Sequence, residues 1–165
     1  MFYPRTFSHI GLSVPNIYEA MEFYSSVMGW YITMPVTTTK EEHRTPMSCM
    51  YQELFGLGYK EFKIAHLSTG DRVGIELFEF PDNDGRRKPF MPHKTGVFHY
   101  CVQDPDVEGL VQRILKAGGK QRSVITYYYP EKSPYRMVYM EDPFGNVVEI
   151  YSHPYDIHYT SKIYH

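Results

Sequence analysis

Two stretches of this chain carry the same pattern. The histidine of "FSHIGLSVP" (7–15) falls on the histidine of "VFHYCVQDP" (97–105) at an offset of 90 residues. At that offset Ile10 meets Tyr100, Leu12 meets Val102, Pro15 meets Pro105, Asn16 meets Asp106 and Gly29 meets Gly119. The halves also end alike, at an offset of 73: "GIELFEFP" (74–81) lies on "VVEIYSHP" (147–154), with Glu76 on Glu149 and Pro81 on Pro154. A repeat of this length decides the architecture, because each copy must be one supersecondary unit with the same order of elements. The difference between the offsets, 17 residues, places an insertion in the first half, in the polar stretch 33–58.

Each copy opens on a short apolar run ending at its proline, and Asn16 or Asp106 then offers the side-chain oxygen of a helix N-cap. Ile17, Ala20, Met21, Tyr24, Val27 and Met28 recur at helical spacing, as do Val107, Leu110, Val111, Ile114 and Leu115. Gly29 and the pair Gly118–Gly119 are the expected stops. Strand patterns close each half, and "DPFGN" (142–146) signals a tight hairpin. A short helix is expected at 46–55 within the insertion. The predicted class is α+β: two fused βαβββ modules forming a curved mixed sheet, with helices on the outer face and a concave site opposite. One domain over 1–165 is expected, with module one at about 5–84, module two at about 95–155 and a tail at 156–165.

Composition narrows the function. Hydrophobic residues make up 42% and charged residues 22%, values of a globular protein rather than a disordered one. A net charge of −2 gives no electrostatic reason to expect nucleic acid or an acidic membrane as partner. No apolar run approaches the ~18 residues of a membrane span. Two cysteines, Cys49 and Cys101, make no disulfide framework, and a cytoplasmic protein with reduced thiols is the expectation. The 16 tyrosines suit pockets and subunit contacts.

Strand alternation sorts the side chains. Phe7, His9, Gly11 and Ser13 share a face, as do Glu76 and Phe78, and Glu149 and Tyr151; Ile10, Leu12, Ile75, Leu77, Val148 and Ile150 take the other. One histidine on a strand is more often a hydrogen-bonded core residue than a ligand. Two histidines and two glutamates at repeat-equivalent positions are another matter. Two imidazoles and two carboxylates converging in a pocket call for a cation, and the donor set suits a divalent one.

The stretches "FSHIGLSVPNIYEAMEFYSSVMGW", "VGIELFEF", "GVFHYCVQDPDVEGLVQRILKAGGK" and "MEDPFGNVVEIYSH" resemble the vicinal-oxygen-chelate superfamily, which includes glyoxalase I, methylmalonyl-CoA epimerase, extradiol dioxygenases and the fosfomycin- and bleomycin-resistance proteins. The resemblance implies paired βαβββ modules around one divalent metal ion (Zn, Ni, Co, Mn or Fe) that a substrate with two adjacent oxygens chelates. Carried over by position, the metal ligands are His9, Glu76, His99 and Glu149, the pattern of glyoxalase I. The epimerase has Gln at the position of Glu76, and the dioxygenases and fosfomycin enzymes lack that ligand. The implied activity is therefore a metal-dependent glyoxalase-type isomerase or lyase, with Glu149 removing a proton beside a chelated carbonyl and Glu76 as its partner. The alternatives are an Fe(II)-dependent dioxygenase acting on an aromatic vicinal diol, or a non-catalytic small-molecule-binding resistance protein.

Phe7, Phe78, Cys101, Tyr151 and Arg136 are the expected substrate-pocket residues. Arg122, Arg136 and "GRRKP" (85–89) are the cations available to a substrate carboxylate, and the Tyr-rich stretches 126–136 and 151–165 are candidates for pocket lining or a homodimer contact. Cys101 reads as a packed thiol rather than a nucleophile. The remaining histidines, 43, 66, 93, 153, 158 and 165, have no repeat partner and read as surface or core, with His153 alone brought near the proposed site by strand alternation.

Overall fold

The computed structural model describes residues 3–41, 45–83, 85, 90–128 and 135–160. The chain forms two compact units, Met1–Arg86 and Arg87–His165, each with its own mixed sheet, as an α+β class requires. In the first unit β1 (His9–Ser13) leads into α1 (Ile17–Ser26), β2 (Tyr31–Lys40), α2 (Pro46–Phe55), β3 (Glu61–Ser68) and β4 (Gly74–Glu79). The sheet order is β1-β4-β3-β2, parallel between β1 and β4 and antiparallel elsewhere. In the second unit β5 (Tyr100–Gln103), α3 (Val107–Lys116), β6 (Lys120–Gln121), β7 (Thr126–Tyr128), β8 (Tyr135–Glu141) and β9 (Val147–Tyr151) repeat the plan, and α4 (Tyr155–Thr160) follows. Here β5 pairs parallel to β9, β9 pairs β8, and both β6 and β7 pair β8, sharing the edge that β2 fills alone in the first unit. Among the described residues no helix is long and apolar enough to cross a membrane.

The N-caps form as expected. Asn16 Oδ1 accepts from the amides of Tyr18 and Glu19 at 3.0 and 3.2 Å, and Asp106 Oδ1 accepts from Gly109 N at 3.0 Å. Asp106 sits so close over the first turn that a Cβ at Gly109 would lie 1.9 Å from its Oδ2. In the hairpin between β8 and β9, Asp142 Oδ1 accepts from the amides of Phe144 and Asn146, both at 2.9 Å, and Gly145 supplies a φ of 94°. Side-chain capping of this kind satisfies amides that a turn leaves without partners.

The aliphatic faces are the buried ones. Leu12, Ala65, Leu67, Ile75 and Leu77 are buried together with Ile17, Ala20, Met21 and Tyr24 of α1, which packs across β2, β3 and β4. In the second unit Val138, Met140, Val148 and Ile150 are buried with Val107, Leu110, Val111 and Ile114 of α3. Leu77 is fully buried, so Leu77→Ala is expected to destabilise the chain by about 2–5 kcal/mol through lost transfer energy and a residual cavity. Urea unfolding with an unchanged m-value checks this.

Two sequence expectations need correction. The first eight residues of the expected insertion, 33–40, belong to β2, whose Thr37, Thr38 and Thr39 pair with Ile64, Lys63 and Phe62. Their β-branched side chains favour a strand although they lack apolar alternation. The histidines, expected within the strands, stand at strand starts: His9 is the first residue of β1 and His99 immediately precedes β5. The helix expected at 46–55 is α2, with Pro46 at its first turn and a Thr45–Ser48 capping box.

Candidate metal centre

Within each unit the parallel pairing of first and last strand sets a histidine next to a glutamate. In the first, His9 pairs with Gly74 and Gly11 with Glu76, and His9 Nε2 lies 3.9 Å from Glu76 Oε2. Gly74 makes this approach possible, since a Cβ there would meet His9 Cβ at 2.9 Å. In the second unit His99 Nε2 lies 3.3 Å from Glu149 Oε2. The two pairs differ in setting. The His9 and Glu76 side chains are 53% and 27% exposed, those of His99 and Glu149 26% and 9%.

Pairing across three strands builds a row around each glutamate. Cys101, Glu149 and Tyr139 are register partners, and the Tyr139 ring meets the His99 ring edge-on at 5.6 Å. Burial, then hydrogen bonding to Glu149 and its charge, hold the Tyr139 phenol above its ordinary value. Cys101 is exposed by area. Its thiol nevertheless has a pKa pushed up to about 12, by burial first and then by the charge and hydrogen bond of Glu149. The corresponding row in the first unit is Gly11, Glu76 and His66. Read from sequence, Tyr139 has no role and His66 no repeat partner, yet the offset of 73 sets one on the other.

The face of the first unit that bears Glu76 is aromatic. Phe78 on β4 and Phe80 just beyond its end continue the face opposite Ile75 and Leu77, and α2 lays Phe55 against them at 6.0 and 5.2 Å. Tyr51 packs edge-on to Phe62 at 4.9 Å and is buried with it. Burial first, and then the charge of Glu76, raise the Tyr51 pKa. Phe78 also covers Gly11, where a Cβ would approach its Cε2 to 3.3 Å.

The other expected pocket residues fall out differently. Tyr151 is buried and stacks on His153, which also stacks on Tyr135 at 4.1 Å; His153 is a core residue. Phe7 precedes β1 and is exposed. Arg136 is the correction. It alternates with Tyr139 along β8, which turns it to the helix side, and it binds Glu108 at 3.2 Å and the Pro105 carbonyl at 2.7 Å. Arg122 is already paired with Glu141 at 2.6 Å and lies over the Phe90 ring at 4.3 Å. His93 is exposed. Residues 86–89, 129–134 and 161–165, with His43 and His165 and the side chain of His158, lie outside the described residues.

Each histidine–glutamate pair fits half of a divalent-cation site. Two nitrogen or oxygen donors at ~2.1 Å from one ion lie roughly 3.0–3.4 Å apart, which His99 and Glu149 already match and His9 and Glu76 approach. It is His99 Nε2 that stands beside Glu149; its Nδ1 is buried without a hydrogen-bond partner among the described residues. No group of three or more His, Cys, Asp or Glu is placed to hold a metal among the described residues; each unit supplies one pair.

Comparison with known proteins agrees with the fold. The chain is similar to a glyoxalase family protein from Bacillus cereus (19% identity, 92% of this chain and 97% of that one, TM-score 0.70). It is also similar to the fosfomycin resistance protein FosX from Mesorhizobium loti (12% identity, 99% and 100%, TM-score 0.56). A mutant of glyoxalase I from Zea mays matches at 16% identity over 89% of this chain and 45% of that one, with a TM-score of 0.59. No curated protein matches. The family model for the Glyoxalase/Bleomycin resistance protein/Dioxygenase superfamily matches residues 6–150, and the chain belongs to that superfamily.

Proposed function

We propose that His9, Glu76, His99 and Glu149 hold one divalent cation, each module giving an imidazole and a carboxylate, and that the protein is a metal-dependent isomerase or lyase of glyoxalase type. The observation that carries this is the duplicated pair, Nε2 to Oε2 at 3.9 and 3.3 Å at repeat-equivalent positions. The modules that complete one site come from one chain or from two copies in a homodimer; the repeat is compatible with both. The substrate is a small molecule with two adjacent oxygens, and the cytoplasm is the proposed compartment.

A divalent ion bound there would polarise a carbonyl and acidify the carbon beside it. The chain's own residues do the rest. Glu149, nearly buried, accepts the departing proton at a carboxylate oxygen, and Glu76 serves the opposite face of the same carbon. Phe78, with Phe55 and Tyr51 of α2 behind it, gives the substrate an apolar wall that keeps water from the reacting carbon. Two carboxylates offset the charge of the ion, which favours a redox-silent one. Elemental analysis of protein purified without chelators tests the reading: a stoichiometric bound ion is expected, and failure to bind any of Zn²⁺, Ni²⁺, Co²⁺, Mn²⁺ or Fe²⁺ on titration overturns it.

A second reading draws on the looser first pair. If Glu76 is not a ligand, His9, His99 and Glu149 make the two-histidine, one-carboxylate set of an Fe²⁺ oxygenase, here acting on an aromatic vicinal diol. Glu76→Ala separates the two. It is expected to lower affinity for Zn²⁺ or Ni²⁺ and abolish isomerase turnover under the first reading. Under the second, Fe²⁺-dependent oxygen uptake with catechols persists.

A further inference from the structure

The two half-sites occupy equivalent places but are not built alike. Glu149 has a side chain with an ionisable hydrogen on each flanking strand, the Cys101 thiol on β5 and the Tyr139 phenol on β8. His99 closes the third side at 3.3 Å, with its own ring held edge-on by Tyr139 at 5.6 Å. Glu76 has Gly11 on one flank, which offers no side chain, and His66 on the other. Its histidine is more than half exposed, and the hydrogen bond that steadies that ring, 3.2 Å long, joins His9 Nδ1 and the exposed Ser8 Oγ.

We propose that Tyr139 is a positioning residue: its phenol, with the Cys101 thiol on the opposite flank, fixes the Glu149 carboxylate beside His99, so that module two is the prebuilt half of the site and sets its affinity for a divalent ion. This rests on the metal-site reading above. The physical reason is that a carboxylate free to turn must be immobilised when it takes an ion. A carboxylate already flanked by donor side chains on both neighbouring strands and by a ring packed in place has less freedom left to lose when the ion arrives. Strand register sets the Tyr139 and Cys101 side chains on either flank of Glu149, and the nearness of Glu149 contributes, after burial, to the raised pKa of both the phenol and the thiol. His66, at the place of Tyr139, stands beside a more open pair. The carboxylate of Glu76 is therefore the one that adjusts when the site is filled.

The test is a Zn²⁺ titration by calorimetry of the wild-type protein, Tyr139→Phe, Cys101→Ala and His66→Gln, with thermal melting of each metal-free protein alongside. Tyr139→Phe is expected to bind 10- to 100-fold more weakly, Cys101→Ala several-fold more weakly and His66→Gln within about threefold of wild type, while the metal-free Tyr139→Phe melts within a few degrees of wild type. In the Co²⁺-loaded proteins the visible absorption spectrum is expected to change with Tyr139→Phe, a shift that a residue acting only on stability would not cause. Wild-type affinity in both Tyr139→Phe and Cys101→Ala overturns the inference and leaves the metal site standing. No binding by the wild-type protein overturns the metal site and the inference with it. If Tyr139→Phe does not fold, Cys101→Ala and the His66→Gln comparison decide the question, because equal affinity in those two also overturns it.

Discussion

His99→Ala is expected to weaken divalent-ion binding by roughly 100-fold or more. Four-donor zinc sites carry about 10–16 kcal/mol of apparent binding energy, so one donor of four is worth roughly 3 kcal/mol, which is about a factor of 100. His9→Ala is expected to have the smaller effect, about tenfold, because its pair is wider and more open to water at 3.9 Å and 53% and 27% exposure. Stability should fall as well. The His99 ring packs on Phe98 and Tyr139 at 4.6 and 5.6 Å, and its loss leaves the nearly buried Glu149 carboxylate without its neighbour at 3.3 Å, which outweighs the ~1–3 kcal/mol relieved by removing the unpartnered Nδ1. The metal-free His99→Ala protein should therefore melt below the metal-free wild type. Calorimetric titration and melting of the same samples check both signs. Equal weakening by His9→Ala and His99→Ala would contradict the unequal half-sites, and no weakening by either would remove the ion from the account.

The Cys101 thiol is expected to react with iodoacetamide roughly 30- to 60-fold more slowly at pH 8 in the folded protein than in urea. Its pKa is raised from 9.0 to about 12, which leaves about a thousandfold less thiolate. The thiolate that remains is more nucleophilic, by roughly 20- to 30-fold over three pKa units, so the deficit is only partly offset. Access is not the obstacle, since Cys101 is exposed, and Cys49, also exposed, provides a reference for reagent access within the same molecule. Peptide-resolved mass spectrometry reads both thiols together. Equal Cys101 rates in folded and unfolded chains would show that neither burial nor Glu149 raises the thiol pKa. The same shift has a consequence for stability. The folded chain keeps this proton more tightly than the unfolded chain, so the contribution is complete below about pH 9 and is lost as pH rises towards 12. The melting temperature is expected to fall across that range, less steeply in Cys101→Ala.

The parts of the fold that follow from periodicity were legible in the sequence. Leu77 and Ile75 face the helix while Glu76 and Phe78 face away because a strand alternates with a period of two, and nothing tertiary had to intervene. Asn16, Asp106 and Asp142 cap and turn the chain through local hydrogen bonds that residue type alone announces. What depended on pairing was not legible. Thr37–Thr39 form a strand because β3 lies alongside them, and a run of threonines carries little sign of its partner. Residue type alone puts Arg136 in the pocket, yet its place on β8 sends it to Glu108. Tyr139 escaped notice because a tyrosine matched to a histidine does not look like a repeat until the row around each glutamate is drawn.

Each half-site joins the first strand of its unit to the last: His9 to Glu76 across β1 and β4, and His99 to Glu149 at the β5–β9 pair. In both units that strand pair is parallel, and nearly the whole unit separates its members along the chain. The donors therefore meet only after the longest loop has closed, the slowest kind of contact for a folding chain to make. A nascent or half-folded polypeptide presents no chelating pair, so such an ion would be captured late and would act as a latch on the outermost strand, slowing the fraying through which amide protons exchange at a sheet edge.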